Sequence, residues 1–204
     1  MAFSVRPPLL AKIHDRKSFI EQLILDYPFF LKKWEDEQSD IFKSEAKENS
    51  EGDVTVEWSL YAQSMRAFDS DEDLLNYFYQ AMLLVVYSYY EGILTAIEKS
   101  ANPSNIESKI CRSHHIVLSE ESKQNISYIS SVVRIVRRNI CHHNAGTLKD
   151  LDALQMIVKK NVDLSLDDGV IYISDKKFIL DALQKEYFVL LELAEKLGLK
   201  SRTI

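Results

Sequence analysis

The chain has 204 residues, 46% of them hydrophobic, enough for one domain with a sizeable core. Only five Gly and four Pro supply tight turns, which disfavours an all-β sandwich or barrel and favours long helices. A net charge of −6 argues against coating nucleic acid by bulk attraction. The two cysteines, Cys111 and Cys141, have no metal-ligand spacing and make no disulfide framework.

The N-terminal stretch MAFSVRPPLLAKIHDRK lacks the apolar core of a secretory signal. The longest apolar run, Ala81 to Tyr90, is too short to span a bilayer. The expectation is a cytoplasmic protein with no membrane association. Residues 15–48 read as helical, with Phe19, Leu23, Leu25, Phe29 and Phe30 as the apolar positions. Pro28 is expected to kink or interrupt that segment. The charged stretch from Lys43 to Asp53 reads as a solvated connection. Val54 to Leu60 alternates like a short strand and equally begins a helix through Met65. Residues 1–69 are expected to form a helical extension packed on a bundle of residues 70–204, making one compact domain overall.

The plainest helix follows. Ser70 with Asp73 three residues on resembles a capping box, and Leu75, Phe78, Met82, Val86, Tyr89, Ile93 and Ile97 recur at helical spacing. Its opposite face is also apolar, through Tyr77, Ala81, Leu84 and Tyr87. A helix apolar all round is expected to be buried by its own bundle and by a second subunit. Glu91 lies on that second face among aromatics. A carboxylate there reaches solvent, finds a partner or serves a function. Residues 106–120 read as a connector, and its adjacent His114 and His115 receive no role.

A second long helix is expected from Ser119 or Ser122 to His142, with Ile126, Ile129, Val133, Val136 and Ile140 as one apolar stripe. Asn144 and Gly146 supply its stop. Residues 148–162 form an amphipathic helix, Asp168-Gly169 marks a β-hairpin, and Lys176 to Gly198 closes the chain as a helix. The fold expected is an all-α helical bundle with a small C-terminal β-hairpin.

Charge singles out one region. From Ser122 to Lys149 there is no acidic residue, while Lys123, Arg134, Arg137, Arg138 and Lys149 are basic. Such an island in an acidic chain reads as a local anion site or as an exposed basic helix end. Arg134, Arg138 and His142 step by four along an edge opposite the apolar stripe. A histidine at a helix C-terminus is favoured in its protonated form. Beside guanidinium groups that charge is unfavourable unless an anion bridges them, which points to phosphate.

The stretch VRRNICHHNAG, Val136 to Gly146, resembles the hallmark of the HEPN superfamily, small helical bundles that often act as ribonucleases. That hallmark is Arg, a gap of four to six residues, then His, commonly with Asn directly after the Arg. Arg138, Asn139 and His143 match it. The aromatic-acidic stretch around Glu91 and the hairpin-helix tail are similar to the family's as well, so the likeness covers about residues 70–198. It implies that Arg138 holds the scissile phosphate, His143 acts as general acid/base, Asn139 orients the groups and Glu91 supports them. Arg134, Arg137 and Lys123 would bind RNA phosphates. The nucleophile would be the RNA 2′-hydroxyl, with no metal or other cofactor.

The resemblance further implies a homodimer with a composite site, and an antitoxin or defence-system protein as partner. Arg137 with His142 fits the same spacing and stays open as the alternative; Asn139 favours Arg138 with His143. One branch carries Tyr two residues after the motif His. Ala145 stands there, so modification at such a Tyr is not expected. Two further readings are a non-catalytic HEPN-like module that binds a nucleotide or protein, and a helical assembly protein whose basic island is incidental.

Overall fold

The computed structural model describes residues 9–68, 72–98, 106–142 and 151–199. It is an all-α bundle with one small antiparallel hairpin. In chain order come α1 (Leu9–Asn49), α2 (Val54–Phe68), α3 (Glu72–Glu98) and α4 (Ile106–Ser113). Then follow α5 (Glu120–Tyr128), a π turn (Ile129–Val133), α6 (Arg134–His142) and α7 (Leu151–Lys160). The hairpin β1 (Leu164–Asp167) and β2 (Val170–Ile173) precedes α8 (Lys176–Lys196). Among the described residues no helix is long and apolar enough to cross a membrane.

α3 is the central helix. It packs against α1, α4, α6, α8 and β2, and its Met82, Leu83, Val86, Tyr87, Tyr90, Ile93 and Leu94 are all buried. Of the second apolar face that sequence alone assigned in part to a partner subunit, Tyr87 is buried and Leu84 half-buried within the chain, whereas Tyr77 and Ala81 stay exposed. α8 lies alongside through Phe178, Ile179, Ala182, Leu183, Val189, Leu190 and Leu193.

α1 differs from its sequence reading in two respects. It runs unbroken through Pro28, where the lost backbone hydrogen bond is outweighed by anchoring just before it. Ile24 is buried, and Tyr27 stacks on Phe78 with ring centroids 3.6 Å apart. Its inward face is Ile13, Ile20 and Ile24, whereas Phe19, Leu23, Leu25, Phe29 and Phe30 are exposed. Beyond Pro28, α1 pairs with α2, as the bond between the Ser39 and Tyr61 hydroxyls shows. Residues 54–60 take the helical alternative. Asp53 Oδ1 accepts from Thr55 N and Val56 N, a side-chain cap that starts a helix where alternation alone allows a strand.

The expected connector at 106–120 contains α4, whose Ile106 and Ile110 are buried in the core. The second long helix is continuous from Glu120 to His142, with the π turn inserted in it. Ser131 Oγ donates to Ser127 O at 2.7 Å, a competing bond of the kind that loosens a helical ladder. Ile129, Val133 and Val136 of the expected stripe are fully buried. Ser119 caps the N-terminus by accepting from Ser122 N, and Glu192 of α8 accepts from both Ser119 N and Ser119 Oγ.

The hairpin forms where expected. Asp168 and Gly169 both take positive φ, 44° and 79°, the backbone that a two-residue turn requires and glycine tolerates best. Leu164 faces Ile173 and Leu166 faces Ile171 across the strands. α7 packs on β1, and β2 lies against α3 and α6.

Candidate functional site

The first residue of α6 turns inward. Arg134 Nε donates to the Tyr87 hydroxyl at 2.7 Å, and its Nη2 lies 3.7 Å from Glu107 Oε1. Tyr90 donates its hydroxyl to that same oxygen at 3.1 Å. Glu91, four residues along α3, lies near enough to the Tyr87 hydroxyl to raise its pKa. One bonded chain runs Tyr87–Arg134–Glu107–Tyr90 and ties α3, α4 and α6 together. Burial raises the Tyr87 pKa against the opposing effect of Arg134. Burial and Glu107 push Tyr90 well above the usual phenol value. Both phenols stay neutral at physiological pH.

Arg137 joins the cluster from above. Its guanidinium carbon is 5.3 Å from the Tyr87 ring centroid, and that of Arg134 is 6.0 Å away. Two like charges meet at the negative face of one aromatic ring, with Glu107 and Glu91 supplying the balancing charge. Glu91, whose role was open between solvent, partner and function, is half-buried beside Tyr87.

Behind the network sits Glu186 of α8. It is fully buried, and neither carboxyl oxygen has a hydrogen-bond partner among the described residues. Burial, reinforced by the charges of Glu91 and Glu107, lifts its pKa well above the usual carboxylate range. The group is held as a neutral acid, because an unpaired buried carboxylate is far costlier than a buried carboxyl.

The motif residues diverge at the end of α6. Arg138 is exposed on the outward side. Asn139, about 100° further round the helix, turns to the hairpin, where its Nδ2 donates to Gly169 O at 3.1 Å. Asn139 thus holds the hairpin turn against α6 and does not face Arg138. His142 is the last residue of α6; its side chain, and the whole of His143, lie outside the described residues. So do Ser70, Asn144, Ala145, Gly146 and Lys149. Lys123 is about 22 Å from Arg138 along the helix axis and pairs with Glu120 at 2.5 Å. It does not join the arginines. His114 and His115 are exposed beyond the last turn of α4.

The acid-free interval of the sequence is therefore not acid-free in space. Glu91 and Glu107 reach Arg134 and Tyr87 from α3 and α4, and Glu120 reaches Lys123 from the preceding turn. Arg138 is exposed on the outward part of α6, and Arg137 is half-buried over Tyr87. Tyr87, Tyr90, Glu107 and Glu186 were not singled out by sequence as parts of the site. The signal available was a glutamate and tyrosines within apolar helical stripes, visible only once α4 is recognised as a helix. Comparison of the chain with protein-family models, with curated proteins and with solved structures returns no match.

Proposed function

We propose that the chain is a metal-independent endoribonuclease acting in the cytoplasm as a toxin or antiviral defence effector. Its site is the C-terminal end of α6, with Arg138 and the histidine pair His142–His143. The observation that carries the reading is the Arg138-Asn139-x-x-x-His143 motif at that helix end, with Arg138 outward and Arg134 and Arg137 held on Tyr87. In the reaction the RNA 2′-oxygen attacks the adjacent phosphorus, forming the P–O2′ bond as the P–O5′ bond breaks. One imidazole takes the 2′ proton, and a protonated imidazole delivers a proton to the departing 5′-oxygen. Arg138 offsets the charge that grows on the phosphoryl oxygens. The products are a 2′,3′-cyclic phosphate and a 5′-hydroxyl. His143 is the preferred acid/base, with His142 and Arg137 as the alternative pair.

A homodimer would bring two such sets together, and an antitoxin or other defence-system protein would regulate them. The exposed Phe19, Phe29 and Phe30 of α1 support an association surface. A second reading, a module that binds a nucleotide without cleaving it, is favoured by one observation. The Asn139 amide is spent on Gly169 and does not sit beside Arg138. Incubation of the purified protein with RNA in EDTA separates the two readings. Cleavage that is lost in Arg138→Ala and in His143→Ala supports the nuclease. No cleavage, or cleavage that survives both substitutions and His142→Ala, rejects it.

A further inference from the structure

Between α3, the last turn of α6 and the outer edge of β2 lies a cavity of about 430 Å³. Its wall carries three carboxamides, Asn76, Gln80 and Asn139, together with the Tyr77 ring and the apolar side of Ile140. Each amide is fixed by the hairpin. Asn76 Oδ1 accepts from Ile173 N at 2.9 Å, Gln80 Nε2 donates to Ile171 O at 2.8 Å, and Asn139 Nδ2 donates to Gly169 O at 3.1 Å. Asn76 and Gln80, one turn apart on α3, thus occupy the edge of β2 that no strand covers. Their planes are set by main chain, so the amide groups left over point in determined directions.

Those remaining groups are unmet. Among the described residues the Asn76 amino group donates to no acceptor and Gln80 Oε1 accepts from no donor. Asn139 Oδ1 is buried without a partner. The groups open to a ligand are the Asn76 amino group and Gln80 Oε1, a donor beside an acceptor next to an exposed tyrosine face, while Asn139 Oδ1 is closed off from the cavity. The size falls within the roughly 300–1,000 Å³ of small-molecule sites. Carboxamides beside an aromatic face are the groups that hydrogen-bond and stack a planar heterocycle. A donor beside an acceptor complements a ring edge that carries an acceptor next to a donor, and adenine, cytosine, guanine and uracil each carry one.

We propose that this cavity is a nucleobase subsite, in which Asn76 and Gln80 hydrogen-bond the ring edge and Tyr77 stacks on its face. It rests on the RNA reading above only for the source of the base. Arg138 lies on a different side of α6 from Asn139, so a base in the cavity belongs to a nucleotide whose strand passes around the helix end. A free nucleotide presents the same ring, and the two sources are separated by experiment.

The test is titration of the ¹⁵N-labelled full chain with AMP, CMP, GMP and UMP, and with short oligoadenylate and oligouridylate, following the side-chain amides of Asn76, Gln80 and Asn139. The expected result is saturable shifts at the Asn76 and Gln80 amides with the mononucleotides or with the oligomers. Binding of the oligomer alone assigns the base to RNA; binding of the monomer alone assigns it to a free nucleotide. Gln80→Leu and Tyr77→Ala should each weaken binding at least tenfold. Tyr77 is exposed, so its variant keeps the test valid if Gln80→Leu unfolds the hairpin. Absence of shifts with every probe, equal shifts with ribose 5-phosphate, which carries no base, or binding unchanged in Tyr77→Ala overturns the subsite. Loss of RNA cleavage in Arg138→Ala with the amide shifts intact leaves the subsite standing. Shifts without any cleavage by the native chain remove the nuclease and keep the subsite.

Discussion

Replacing Glu186 by Gln removes a buried carboxyl from the α3–α8 contact while keeping its shape. In the unfolded chain this carboxyl titrates near its ordinary value of 4.5, and in the fold its pKa is far higher. Below about pH 4.5 both states hold the proton and the group leaves stability unaffected by pH. Above it the unfolded state releases the proton and the folded state keeps it. Folding stability then declines by about 1.4 kcal/mol per pH unit until the folded-state pKa is reached. The Gln variant, with nothing to titrate, escapes the loss. Urea unfolding followed by far-UV circular dichroism at several pH values measures it. The native chain and Glu186→Gln should differ by a constant amount under acid conditions, with the variant gaining steadily as the pH rises. Each pH unit of that gain corresponds to a rise in Tm of roughly 3–6 °C for a chain of this size. A difference that is flat across the range, or one that grows in favour of the native chain, would show that Glu186 is not held as a neutral acid.

Other expectations follow from the same contacts. Arg134→Ala leaves Glu107 buried without its cation and should cost about 2–3 kcal/mol in urea unfolding; Arg134→Met combined with Glu107→Gln should recover most of that, and a single substitution costing under about 1 kcal/mol would contradict the network. Gly169→Val places a branched side chain at φ 79° and should cost about 2 kcal/mol or more, read as faster amide exchange in β1 and β2 with α3 unaffected. Phe19→Ser with Phe30→Ser should halve the mass measured by light scattering if α1 carries the dimer contact, and an unchanged mass moves that contact elsewhere.

Much of the helical frame is legible because helical periodicity is local. The stripe Ile129, Val133 and Val136 can be read directly from spacing and is buried as spaced. Asp168-Gly169 announces its turn because few residues accept positive φ at both positions. Where two patterns coexist, spacing has no means of choosing. α1 is apolar on two sides, and Phe19, Leu23 and Phe30 were as eligible for the core as Ile13, Ile20 and Ile24. The choice fell to the helix faces that α3 and α8 offer. Val54 to Leu60 permits strand or helix, and the Asp53 cap tips it to helix.

The chemistry divides in the same way. A run without acidic residues, an Arg-Asn-x-x-x-His spacing and a glutamate among aromatics are properties of the chain order, and sequence alone isolates them. Which charges stand together is a property of distance. Only packing brings Glu107 from a short helix to Arg134, seats both Arg134 and Arg137 on Tyr87, and sends Asn139 to the hairpin instead of to Arg138. Residues adjacent in sequence leave a helix about 100° apart, so a motif names its members without saying which of them meet. Tertiary structure made that decision, because electrostatics and hydrogen bonding act over a few ångströms of space, whatever the separation along the chain.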